Sequence, residues 1–243
     1  MYRTNRGVPQ GSVLGPTLWI IVYNAVLKVA WEEDRVAIFG FADDTLLVMS
    51  GISPKEVEER TNEVIEEIRM VVEELGCCFA PDKTQAILVS PKRKIKSVDI
   101  LVAGVPVEII RSFKYLGVIV DDKLTFGEHV KHVTEKAKRI CGKLAGITAN
   151  LKGPKERVRR LYATVVNQVL LYGAPVWSPN LAKTHRLKIN GAQRLANLRQ
   201  VQGYKTVSGD SPSVLSGNPP ADLLADEWRG SKRPSAVDQE PTL

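Results

Sequence analysis

Asp43 and Asp44 stand side by side in Phe-Ala-Asp-Asp at 41–44, between two short apolar runs at 36–41 and 45–49. Taken alone, adjacent aspartates at a turn often do no more than solvate it. Here Phe39, Phe41, Leu46 and Val48 would anchor both flanks in a sheet and hold the carboxylates rigidly. Rigid paired carboxylates suit hard divalent cations. Two Mg²⁺ ions roughly 3.5–4 Å apart serve in-line phosphoryl transfer, one activating an attacking hydroxyl and the other stabilising the leaving oxygen. Two ions need at least one further carboxylate from another strand. A second feature is Gly-Val-Pro-Gln-Gly-Ser at 7–12, followed by Val-Leu-Gly-Pro. Glycines at 7, 11 and 15 let the backbone lie against a ligand, and a helix start just beyond could seat a phosphate or a base. A plain turn would read the same way.

The elements that must position these residues are legible from pattern. The apolar stretch 14–31 has about the length of a membrane span, but Asn24 and Lys28 interrupt it and Pro16 opens it as a helix start, so a buried helix is expected over 16–30. The runs at 36–41 and 45–49 read as two strands joined through Ala42-Asp43-Asp44. Ser53-Pro54-Lys55-Glu56 combines an N-cap, a proline at the first helical position and a capping-box glutamate. A helix follows with Val57, Thr61, Val64, Ile65, Ile68, Val71, Val72 and Leu75 inward, eight glutamates on a solvated face, and a stop at Gly76. Residues 85–120 have β texture and predict three or four short antiparallel strands. Beyond Asp121-Asp122 the period turns helical. Val130, Val133, Ala137, Ile140, Leu144 and Ile147 form one stripe, and Val158, Leu161, Tyr162, Val165 and Val169 are expected inward on a helix over 154–172. A further helix is expected within 174–202, then turns at Pro212, Gly217, Pro219 and Pro220, and a helical piece over 223–228.

Composition sets the outer bounds. With 243 residues and 44% apolar side chains the chain can bury a core, which excludes a wholly disordered or fibrous protein. Three cysteines, two of them the adjacent Cys77 and Cys78, form neither a disulfide framework nor a zinc spacing, and with no visible leader they favour a reducing compartment. The net charge of +7 is unevenly spread. Residues 131–200 carry 15 basic side chains against two acids, whereas the rest of the chain is net acidic. A basic helical module facing a polyanion, joined to an acidic one, is the expectation; a solvated basic face is the alternative.

The order of these pieces carries a resemblance. Gly-Val-Pro-Gln-Gly-Ser-Val-Leu-Gly-Pro, a helix, Phe-Ala-Asp-Asp, Asp82-Lys83-Thr84 and then Phe-Lys-Tyr-Leu-Gly-Val at 113–118 resemble the reverse transcriptases of non-LTR, LINE-like retrotransposons of the arthropod type. Residues 203–208 and 220–224 extend the resemblance to about Trp228. It implies an α+β fold, with a partial polymerase palm of antiparallel sheet and helices followed by an all-α thumb-like module. The implied domains are a palm with primer-grip hairpin over 1–126, a basic thumb-like module over 127–200, a post-thumb segment over 201–228 and a disordered tail over 229–243. It implies that Gln10 and Gly11 lie against template and incoming nucleotide, and that Phe41 and Ala42 stand just before the palm aspartates, where a small residue leaves room for primer and nucleotide. Asp43 and Asp44 are the implied catalytic and metal-binding aspartates. Lys83 would act near the pyrophosphate leaving group. Phe113, Lys114, Tyr115, Leu116 and Gly117 would form the primer grip. Lys136, Lys138, Arg139, Lys143, Arg157, Arg159 and Arg160 would follow the phosphates of an RNA–DNA duplex without choosing sequence.

The implied reaction is RNA-templated addition of dNTPs to a DNA 3′-hydroxyl, with two Mg²⁺ ions in the intact parent enzyme, an RNA template and DNA primer as partners, no membrane, and a location in the nucleus or cytoplasm. A further catalytic aspartate and the fingers should precede Gly7, where this chain has only residues 1–6. The chain therefore reads as a C-terminal fragment whose autonomous catalysis should fall by orders of magnitude. A non-catalytic nucleic-acid-binding remnant is one alternative, and a related palm polymerase such as an intron maturase is another.

Overall fold

A computed structural model describes residues 11–30, 34–78, 80–90, 98–149 and 153–231. The architecture is α+β, in two units divided between Arg111 and Ser112. In the first unit, helix α1 (Gly15–Lys28) precedes strands β1 (Val36–Phe41) and β2 (Asp44–Met49), which pair antiparallel in continuous register from Val36↔Met49 to Phe41↔Asp44. Helix α2 (Pro54–Glu74) starts as its capping residues require: the Ser53 hydroxyl accepts from the Glu56 amide and the Glu56 carboxylate accepts from the Ile52 amide. It ends in a Schellman motif, in which left-handed Gly76 donates to Glu73 O and Cys77 donates to Val72 O. Val26, Val64 and Ile68 form the core between α1, α2 and the hairpin, with Val36, Ile38, Leu47 and Met49 against it.

Two expectations change here. Helix α1 is not buried all round: only Val26 is, while Ile20 and Ile21 are about two-thirds exposed. Among the described residues it packs on α2 and the β1–β2 hairpin through one side, and Ile20 and Ile21 lie outside that core. The glutamate face of α2 is not wholly solvated either. Glu58 accepts from the Asp99 amide, and Asn62 bridges Asp99 O and Leu101 N, so two polar side chains act as a pairing edge for strand β4 (Ile100–Val102).

The β-rich middle splits into separate two-stranded ladders. Strand β3 (Ala86–Ile87) pairs with β6 (Ile109–Ile110), and β4 pairs with β5 (Val105–Val107). The β3–β6 pair is parallel, which corrects the expectation of antiparallel strands throughout. The chain between them contains the β4–β5 hairpin, which reverses direction internally and lets β6 run parallel to β3.

The second unit opens with hairpin β7 (Ser112–Tyr115) and β8 (Val118–Asp121), then helices α3 (Gly127–Ala145), α4 (Glu156–Leu171), the short α5 (Ala174–Trp177), α6 (Lys183–Gln200), α7 (Ser211–Ser216) and α8 (Ala221–Ser231). Helices α3, α4 and α6 pack together over Ala137, Ala163, Val166, Leu170, Ala192 and Ala196, whose small residues let the backbones approach. A second cluster joins Val118 of the hairpin to Phe126, Val130, Trp177, Ile189 and both Ala221 and Ala225 of α8. The segment beyond residue 200 is thus part of the same core. Helix α7 was not foreseen among the turn residues, and α8 reaches Ser231, so residues 229–231 of the expected disordered tail are helical. No helix among the described residues is long and apolar enough to cross a membrane.

Candidate active site and nucleic-acid interface

The β1–β2 register leaves Ala42 and Asp43 as the whole turn, so Asp44 opens β2 opposite Phe41 instead of lying in the turn. Ala42 takes a left-handed φ of 55°, a strained conformation for a residue with a Cβ. Helix α1 holds it there: Trp19 Nε1 donates to Ala42 O at 2.7 Å. The Trp19 ring stacks on Tyr23 at 5.5 Å, and the Tyr23 hydroxyl bonds the Thr45 hydroxyl across the hairpin. A Cβ on Gly40 would fall 2.2 Å from Tyr23 Cε1, so a glycine is what lets the ring lie on β1. Trp19, Tyr23 and Gly40 position the carboxylates, and sequence reasoning missed all three. Their signal was available only as an i, i+4 aromatic pair inside an apolar run.

Phe41, Ala42, Asp43 and Asp44 are all exposed at the hairpin tip. Two carboxylates facing water offer the hard oxygen donors that Mg²⁺ prefers. Among the described residues no group of three or more His, Cys, Asp or Glu side chains could hold a metal ion. The pair fits the chemistry of such an ion. Lys83 is exposed in the 3-10 turn Pro81–Lys83, and no ion pair among the described residues joins it to Asp43 or Asp44. Gly11 is exposed with φ 85° and open space around its Cα, whereas Gln10 lies outside the described residues.

In the β7–β8 hairpin, Tyr115 pairs with Val118 and the turn is Leu116-Gly117, both left-handed. Strand alternation puts Phe113 and Tyr115 on one face, with ring centroids 6.5 Å apart, and exposed Lys114 on the other. Buried His129 of α3 accepts from the Ile119 amide through Nδ1. Burial holds its imidazole well below the usual range, at about 4; the neighbouring His132 lowers it further, against a smaller opposing pull from the Tyr172 carbonyl.

Of the seven expected phosphate contacts, Lys136, Lys138, Arg139, Lys143, Arg157 and Arg160 are exposed. On α3, Lys136, Arg139 and Lys143 follow i, i+3, i+7 spacing along one flank, and Lys138 falls on the other. Arg159 is a correction. It is only 2% exposed, and its guanidinium donates to Pro154 O, Thr148 O and Arg199 O at 2.9–3.0 Å and to Ala149 O. With its donors taken inside the unit, it cannot reach a phosphate at the surface. The inward face of α4 is corrected with it. Arg159, Ala163, Val166 and Leu170 are buried, while Val158, Leu161 and Val165 are exposed, because loop carbonyls satisfy the arginine and Ala163 admits the neighbouring helices.

Residues 2–120 of the chain match the reverse transcriptase (RNA-dependent DNA polymerase) family, a stretch that takes in both the aspartate hairpin and the Phe113–Gly117 turn. The relatives the chain matches include proteins of retrotransposable and mobile elements of insects. The chain is 30% identical over 224 residues to the 115 kDa protein of the type-1 retrotransposable element R1DM of Drosophila melanogaster, across 90% of this chain and 21% of that protein. It is 27% identical to the Pol polyprotein of the type-1 retrotransposable element R1 of Nasonia vitripennis, across 89% of this chain and 66% of that protein. It is 26% identical to the RNA-directed DNA polymerase of the mobile element jockey of Drosophila melanogaster, across 81% and 22%. The chain therefore spans from about a fifth to two-thirds of these relatives' lengths. No solved structure matches it significantly.

Proposed function

We propose that this chain is the palm-to-thumb part of a retrotransposon RNA-directed DNA polymerase, whose parent adds dNTPs to a DNA primer 3′-hydroxyl against an RNA template. The observation that carries the reading is the β1–β2 tip: two exposed aspartates after a small residue, on a turn braced by Trp19 and Tyr23. A group that must meet a nucleotide and a primer end has to be exposed, and a group that must place charge accurately has to be fixed. Asp43, with Asp44 beside it, would hold Mg²⁺; bound there, the ions would lower the pKa of the attacking hydroxyl and offset charge on the leaving oxygen. Ala42 leaves room beside the aspartates for base and sugar, and Gln10 and Gly11 would lie against template and nucleotide. Lys83 would offset charge on departing pyrophosphate. The hairpin over 113–117 would grip the primer, and α3 with α4 would track the duplex as a thumb. The apolar surface left open on α1 and on the hairpin, including Phe39 and Phe41, fits a palm completed by an upstream segment with the fingers. The reading places the activity inside the cell, in the nucleus or the cytoplasm.

The test is extension of a DNA primer on an RNA template by a longer polyprotein containing this chain. Asp43→Ala should lower the rate by about 10²–10³ or more, the cost of removing a preorganised charge at the reacting centre. Extension that survives the substitution refutes the role of the hairpin. A second reading, nucleic-acid binding without catalysis, is favoured for the isolated chain by the absence, among the described residues, of a third metal-ligating side chain beside Asp43 and Asp44. Purified 243-residue chain with primed RNA, Mg²⁺ and dNTPs should then show binding and no extension. Incorporation abolished by Asp43→Ala would exclude this second reading.

A further inference from the structure

The β1–β2 and β7–β8 hairpins each turn through a non-glycine residue held left-handed, and in both the carbonyl of that residue accepts a hydrogen bond from an aromatic side chain on or just beyond a helix. Trp19 binds Ala42 O, and Tyr172, at the end of α4, donates its hydroxyl to Leu116 O at 2.9 Å. The second contact joins residues 56 apart and involves a tyrosine that is 54% exposed, so burial does not hold the ring in place. Shape does. A Cβ on Gly117 would lie 2.8 Å from Tyr172 Cε1, and a Cβ on Gly173 would lie 2.7 Å from Val118 Cγ2. Gly117-Val118 and Tyr172-Gly173 are therefore interlocked, each glycine making room for the other pair's side chain, and both glycines have positive φ. Behind the interlock, Trp177 is fully buried and donates from Nε1 to Tyr172 O at 2.9 Å. The His129 ring lies 5.8 Å from Trp177 while its Nδ1 takes the Ile119 amide. At the base of the hairpin the buried Asp121 carboxylate accepts from Lys123 N, Thr125 N and Phe126 N, which fixes the turn into α3.

We propose that Tyr172 is a positioning residue for the hairpin, with His129 and Trp177 behind it. It sets where Phe113, Lys114 and Tyr115 stand relative to the basic flanks of α3 and α4, so that a duplex bound along the helices presents its primer terminus to the hairpin. The proposal rests on the primer-grip reading and adds to it the device that couples grip to thumb. A hydroxyl that served folding alone would be a poor choice at an exposed site, where a single hydrogen bond adds little to stability. Its effect is geometric, because it fixes a strained carbonyl at the tip of a two-stranded hairpin that has no other strand beside it among the described residues.

Tyr172→Phe in the full 243-residue chain keeps the ring and removes the bond. The probe is a primer–template duplex with a photoactivatable nucleotide at the primer 3′ end, with crosslinks mapped by peptide and duplex affinity measured in parallel. The wild-type chain should crosslink within 112–121. Tyr172→Phe should lower that yield about fivefold and quicken amide exchange at Gly117 and Val118 by a similar factor, the size set by one net hydrogen bond. Duplex affinity should stay within about twofold, since the phosphate contacts are untouched. An unchanged crosslink yield in the variant overturns the positioning role and leaves the grip standing. A loss of affinity in step with crosslinking also overturns it, by making the residue merely structural. No wild-type crosslink within 112–121 overturns both the grip and the proposal.

Discussion

Arg157, Arg159 and Arg160 lie within four residues of one another, yet the structure gives them opposite duties. Arg159 is buried with its donors on four backbone carbonyls, and its neighbours are exposed. Arg159→Met should destabilise the helical unit by about 2–4 kcal/mol, since it takes the donor from four buried or part-buried backbone carbonyls, and should change duplex affinity only through folding. Arg157→Ala and Arg160→Ala should leave stability within about 0.5 kcal/mol and each reduce the salt dependence of duplex binding by about one phosphate contact. Denaturant unfolding beside binding titrations at several salt concentrations separates the two cases. His129 makes a further prediction at this scale. Its folded value of about 4 lies below the ordinary 6.5, so as pH falls the unfolded chain takes up a proton that the folded chain refuses. The resulting stability is complete above pH 6.5 and is lost as pH falls from there to about 4, an amount of order 3 kcal/mol. Unfolding free energies of the wild type should show that acid limb, and those of His129→Asn should lack most of it.

At the scale of the element, α6 shows how a helix can be bound by polar residues at apolar spacing. Arg186, Asn190, Gln193, Asn197 and Gln200 recur at four- and three-residue steps. They bond Asp226, Asp222, Pro219 O, Ser213 and Ser216 O in turn. Such a stripe is invisible to a search for apolar periodicity, although its spacing is that of a heptad seam. Asn197→Ala should cost the helical unit about 1–3 kcal/mol by leaving Asn218 and Ser213 short of a partner, a loss that thermal unfolding measures. Helix α1 works differently. Tyr23 packs against the core while half-exposed Trp19 braces the turn, so Trp19→Phe should preserve the fold while releasing the Ala42 carbonyl. In the longer polyprotein this should slow primer extension by about tenfold, with less effect on duplex affinity, since misplacement of a reacting group costs rate before binding.

The whole molecule carries its charge where its helices are. Residues 131–200 hold 15 of the 34 basic side chains and two of the 27 acids, and all but one of the basic residues singled out for phosphate contact are exposed. Duplex affinity should therefore fall steeply with salt, log K against log [salt] having a slope of about −0.9 for each phosphate engaged. The same unit depends on the chain beyond residue 200. Ala221 and Ala225 are fully buried beside Trp177, Ile189 and Val118, with Leu224 and Trp228 packed on them. A chain ending at residue 210 should lose the near-UV signal of Trp177 and unfold without a sharp transition, because the hairpin and α8 share one cluster. An unaltered signal and transition would mean that the core survives without α8.

The elements were legible in the sequence wherever local rules dominate. The capping box at Ser53, the glycine stop at Gly76, the paired strands around the aspartates and the basic helices depend on neighbours within a few residues, and those interactions are written in order along the chain. The order of motifs was enough to point to the family. What only the tertiary structure decided were the relations between distant segments. These are the brace of Trp19 on Ala42, the interlock of Tyr172-Gly173 with Gly117-Val118, the parallel β3–β6 pair, the rotated face of α4 and the burial of Arg159. Each turns on which backbone group or which gap a segment meets outside its own helix or strand. Periodicity records how apolar a face is, not whether a distant backbone will satisfy a charge placed on it.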